Sequence, residues 1–144
     1  MDVQADYRAA CVQLLSDYKS DAQIDLQIYR ARPASISPPT AFVDSMGETI
    51  APIGRATYQR SPTAEIIVLH GEFDSGNAVD QRDAFVDGFV VWVRDRVHAA
   101  GSNSLIAVTS VDDEPTYVPD WLLPQYQRTY YGTRITLEGY VGDN

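Results

Sequence analysis

Cysteine and lysine are almost missing from this chain. Cys11 is the one cysteine and Lys19 the one lysine among 144 residues. A lone cysteine rules out an internal disulfide and suits a reducing compartment. Long apolar runs are missing too. A membrane-crossing helix needs about 20 consecutive apolar residues, and no stretch comes near that. No basic flank leads into an apolar core at the N-terminus, so no signal peptide is expected. Positive charge is scarce, with eleven basic against twenty acidic residues and a net charge of −9. Affinity for nucleic acid comes mainly from Lys and Arg neutralising phosphates, so this balance argues against a phosphate-binding surface.

What remains is an ordinary globular composition, 44% hydrophobic and 22% charged. The length suits one domain, 1–144, able to bury a core without disulfide or metal. Disorder is expected only at Met1–Ala5 and Gly142–Asn144.

The strongest local signal is a strand followed at once by a long helix. Thr63–Phe73 is apolar and β-branched and reads as a buried strand. From Ala78 to Ala100, Val79, Phe85, Val86, Phe89, Val90, Val93 and Val97 recur at helical spacing. Asn77 is the expected N-cap, with Ser75 as its rival. Asp80 and Asp83 near the start, and Arg94, Arg96 and His98 near the end, complement the helix dipole. Gly101 fits a helix-ending position. Gly88 costs about 1 kcal/mol inside a helix, which suggests close approach of another backbone.

A first helix is expected over about residues 2–20, with Val3, Tyr7, Cys11, Leu14, Leu15 and Tyr18 on one stripe. Ile24–Arg32 alternates like a strand. Pro33–Pro39 holds three prolines and reads as a stiff loop. Ala41–Ser45 reads as a short strand broken by Gly47, with Thr49–Ala51 as its hairpin partner. Ile53–Ser61 is either a loop or a projecting arm. Ser104–Thr109 is a strand, Val111–Pro115 an acidic turn, Tyr117–Tyr126 an aromatic loop, and Arg128–Val141 a closing, half-buried strand. The fold class is α+β. A mostly antiparallel or mixed sheet packs with two main helices, about 2–20 and 77–100.

Chemical motifs are few. Gly71–Gly76 precedes a helix but lacks the Lys and glycine spacing of a phosphate loop, so a plain capped helix start is the better reading. A metal site would have to join His70 or His98 to acids such as Asp74 or Asp113. A hydrogen-bonded strand histidine and a helix-end histidine are the simpler readings. No nucleophile elbow supports a Ser-His-Asp triad. Cys11, on an apolar stripe, reads as a buried structural thiol. The acids Asp112, Asp113 and Glu114 read as a solvated loop, a cation-binding cluster or the lining of a negatively charged channel. The tyrosines Tyr117, Tyr126, Tyr130, Tyr131 and Tyr140 crowd the last third of the chain, where core and interface readings compete.

The order of elements resembles that of the tail terminator (tail completion, or neck) proteins of long-tailed bacteriophages. Three stretches carry the likeness. They are the first helix with Arg32–Asp44, the strand and helix of Ala64–Val97, and the closing strand Thr129–Val141. The resemblance implies a structural virion protein, made in the host cytoplasm and placed at the tail neck. It implies a homohexameric ring that ends tail-tube polymerisation. Its partners would be the major tail tube protein and the head-tail connector or head-completion protein. DNA would pass through the lumen without specific binding, and neither cofactor, metal, membrane nor catalysis is expected. Within this reading, Glu48, Asp112, Asp113 and Glu114 are candidate lumen-facing acids. Tyr58, Tyr117, Trp121, Tyr130 and Tyr140 are candidate subunit contacts. The alternatives are another neck or tail-tube component, a small α+β ligand-binding domain or enzyme, and an acidic DNA mimic. The last would need its acids spaced along one face.

Overall fold

A computed structural model describes residues 3–100 and 105–142, with side chains for 3–96 and 106–139. The elements run α1 (Val3–Ala22), β1 (Gln27–Tyr29), β2 (Thr40–Pro52), β3 (Tyr58–Glu72), α2 (Ala78–Ala100), β4 (Leu105–Tyr117) and β5 (Tyr130–Gly142). A 3-10 turn, Pro124–Tyr126, precedes β5. The five strands form one mixed sheet in the order β1-β2-β3-β5-β4. Only β1 runs parallel to its neighbour; the other pairs are antiparallel. This is the expected α+β domain. No described helix is long and apolar enough to cross a membrane.

Alternation along the strands sorts the core into two layers. Ala41, Val43, Ala64, Ile66, Val68, Ile135 and Leu137 face both helices, meeting Cys11, Leu15, Phe85, Phe89 and Val93. On the opposite face Phe42, Ile67, Leu69 and Tyr130 pack with Tyr117, Trp121 and Ile36. The proline loop and the aromatic loop therefore cover the second face, as helices cover the first. The Trp121 indole N–H donates to the Pro33 carbonyl at 2.8 Å, joining the two loops.

Each helix has a definite stop or seat. α1 runs through the expected stop at Ser20 and ends at Ala22. Gln23 then adopts φ 54°, and the Ile24 amide donates to the Lys19 carbonyl at 3.2 Å. Together these form a Schellman cap built without glycine. Val3–Ala5 is helical rather than disordered. α2 has the expected bounds, and the Gln81 amide bonds the Asn77 carbonyl at 3.0 Å, setting Asn77 at the N-cap position. Of its expected stripe, Phe85, Phe89 and Val93 are buried, whereas Val79 is exposed because Ala78 fills the core position. The side chains of Val97, His98 and Tyr140, and all of Gly101, lie outside the described residues.

The strands depart from expectation in three places. Ile24–Arg32 yields only the three-residue β1. β2 does not break at Gly47. It continues to Pro52 and pairs with β3 all the way to Tyr58, forming one long hairpin. The β3–β5 ladder skips residues 61 and 62, where Pro62 has no amide hydrogen to donate. The acidic stretch Val111–Pro115 is not a turn. It is part of the edge strand β4, whose register shifts between Glu114 and Tyr117 around Pro115. Charge and proline on an edge discourage further strand pairing.

Candidate functional site

The β2–β3 hairpin outgrows the body of the domain. Every residue from Thr49 to Tyr58 is exposed. At its base, Arg60 donates to both carboxylate oxygens of Glu48, and Gln4 of α1 adds a bond at 3.2 Å. These contacts hold Glu48 below the usual carboxylate range, chiefly through the Arg60 hydrogen bonds. Beyond them the arm carries Ile50 at 57% exposure, Ile53 at 57% and Tyr58 at 46%. Ile50, Pro52 and Tyr58 share the side that faces the helices lower down, because alternation continues along the ladder. The arm is thus an apolar face extended past the helices that cover it.

A cavity of about 400 Å³ opens at the far end of the same sheet. Its buried floor is Leu26, Val68, His70 and Phe85, and its exposed rim includes Asp25 and Gln81. His70 is reached from β3, and its Nε2 lies 2.9 Å from the Thr133 hydroxyl. Phe85 sits against the ring at 5.7 Å. Burial, helped by the nearby Arg82 cation, pushes the imidazole pKa down to about 4, so His70 is neutral at pH 7. The site presents one neutral polar ring in an apolar hollow. The sequence showed His70 as a bonded strand residue, which it is. The hollow itself was not legible, because its walls come from α1, the loop after it, Pro39, β3 and α2.

A charge cluster marks the face away from the helices. Arg134 bonds Glu65 at 2.7 Å, Glu114 at 2.9 Å and Asp44 at 3.3 Å, while Arg32 bonds Asp44 at 2.9 Å. Burial works against the Arg134 charge, but the Glu114 bond and the surrounding carboxylates outweigh it and raise its pKa. Arg32 also lies 5.0 Å over the Trp121 ring. The cluster seats the aromatic loop on the sheet.

The four acids read as lumen-facing do not share a surface. Glu48 is tied to Arg60 at the arm base, and Asp113 pairs with Arg82 of α2 at 2.7 Å on the helix side. Glu114 pairs with Arg134 on the other face, and Asp112 is exposed beside it on β4. Strand alternation separates them, since neighbours on β4 point to opposite sides. Of the five aromatics read as contacts, Tyr58 stands exposed on the arm. Tyr130 is 5% exposed and belongs to the core. Tyr117 and Trp121 pack on Phe42 within their own subunit. Phe73, Leu123 and Tyr126 are also exposed, which for Tyr126 decides against the core reading.

Cys11 is buried, and its thiol is pushed up to about 12 by that burial. It is inert at neutral pH. Among the described residues no group of three or more His, Cys, Asp or Glu is placed to hold a metal ion. A scan against models of known protein families and a search of curated proteins found no match.

Proposed function

We propose that this chain is a structural virion protein of the tail-terminator type. Copies assemble as a ring on the head-proximal end of a phage tail tube. The ring ends tube polymerisation and offers its other side to the head connector. The observation that carries this reading is the projecting arm, an apolar ribbon left exposed by the described residues of its own subunit. Exposed apolar surface of this kind marks contact with other protein. The arm and the cavity end of β3, where Phe73 is exposed, lie at opposite ends of the sheet. Two unlike patches on one subunit suit the head-to-tail contacts that close a ring. The −9 charge suits a lumen through which DNA moves without sticking. The chain is made in the host cytoplasm, needs no cofactor in this role, and performs no catalysis.

Mass photometry of the purified protein tests it. A closed ring of six copies of the 16.0 kDa chain has a mass of about 96 kDa. A chain that remains a monomer both alone and on isolated tail tubes contradicts it.

The cavity beside His70 favours one rival, a small α+β ligand-binding domain. A small neutral apolar ligand that raises the melting temperature and blocks no assembly supports that rival.

A further inference from the structure

We propose that the cavity beside His70 receives the arm tip of a second copy of this chain, with Ile53 filling the hollow and Arg55 meeting Asp25 at its rim. This rests on the self-assembling reading and names the contact that performs it. Four observations carry it. Ile53 is an exposed isoleucine at the hairpin tip, and the cavity is an exposed hollow with an apolar floor. The arm cannot reach the cavity of its own subunit, because both lie on β3, and Tyr58 and His70 are about 40 Å apart along that strand. Arg55 in the tip and Asp25 on the rim are both exposed, and neither makes an ion pair among the described residues. They carry opposite charges on the two surfaces that would meet. The contact is heterologous, joining one end of each copy to the other end of the next, so it repeats around an axis.

His70 has a defined part in this contact. The ring is neutral at pH 7, so closing the hollow over it buries no charge.

Mixed cross-linking tests the proposal. The full-length variants Ile53→Cys and Gln81→Cys are purified separately, mixed at their highest soluble concentration and mildly oxidised. Cys11 does not interfere, since it is wholly buried. The expected product is a dimer that appears only in the mixture. The double variant carrying both cysteines is expected to give a ladder of higher species. A dimer formed equally well by either variant alone overturns the proposal, as does a mixture that yields none. Charge exchange provides a second readout. Asp25→Arg and Arg55→Asp should each weaken self-association roughly tenfold, and the two together should restore it. No weakening in either single variant overturns the pairing. If wild-type protein still forms a 96 kDa ring while these tests fail, the ring reading stands and this contact is wrong. If no assembly forms under any condition, the ring reading fails, and this contact with it.

Discussion

Gly88 of α2 is shaped to the hydroxyl of Tyr18 on α1. A Cβ added at residue 88 would lie 2.5 Å from Tyr18 Oη and 3.7 Å from its Cζ. The glycine expected to admit a backbone in fact admits a side chain. Tyr18 in turn meets Phe85, Phe89 and Trp92 edge-on, at 5.5, 5.2 and 5.4 Å, and so joins the two helices. Gly88→Ala should therefore destabilise by about 1–2 kcal/mol, since overpacking outweighs the gain in helix propensity. In a Tyr18→Phe background the clashing oxygen is gone, and the same change should stabilise by about 1 kcal/mol. Urea unfolding of the four proteins checks this reversal of sign.

Gln23 ends α1 in a left-handed conformation that a side chain resists. Gln23→Gly should raise stability by about 1 kcal/mol. A midpoint shift at constant slope in urea is the expected readout.

His70 links stability to pH. Its folded pKa is about 4 and the ordinary value is 6.5, so the unfolded chain takes the proton first as pH falls. The stabilisation is complete above about pH 6.5 and is lost as pH drops through about 4, amounting to about 3 kcal/mol. His70→Gln should lack this component. Between pH 7 and pH 4 the wild-type protein should lose about 3 kcal/mol more unfolding free energy than the variant.

Arg134 gathers Asp44, Glu65 and Glu114 around one guanidinium. Arg134→Met leaves three acids facing one another on a partly exposed surface and should cost about 2 kcal/mol, less in high salt. Arg134→Lys should not fully rescue it, because an ammonium cannot fork between carboxylates. Thermal unfolding at low and high salt separates the two effects.

Much of the fold was readable from periodicity. The stripe Val3, Tyr7, Cys11, Leu14, Leu15 and Tyr18 is the buried face of α1, and both ends of α2 fall where the sequence put them. What stayed hidden was hidden for physical reasons. Gly47 read as a strand breaker, yet it sits opposite Thr63 in a ladder whose pairing overrides local preference. Asp112, Asp113 and Glu114 read as a turn by charge, although the sheet claims them as an edge strand. The cavity needed five separate segments to converge, which no local pattern records. The arm was legible only as one of two options, because an exposed ribbon has no burial pattern to announce it.

Tail length reports directly on whether this chain ends tube growth. Electron micrographs of tails assembled with and without this chain should show a single defined length in its presence and overlong, variable tubes in its absence. Tails of the same defined length in both preparations would rule out a terminator role.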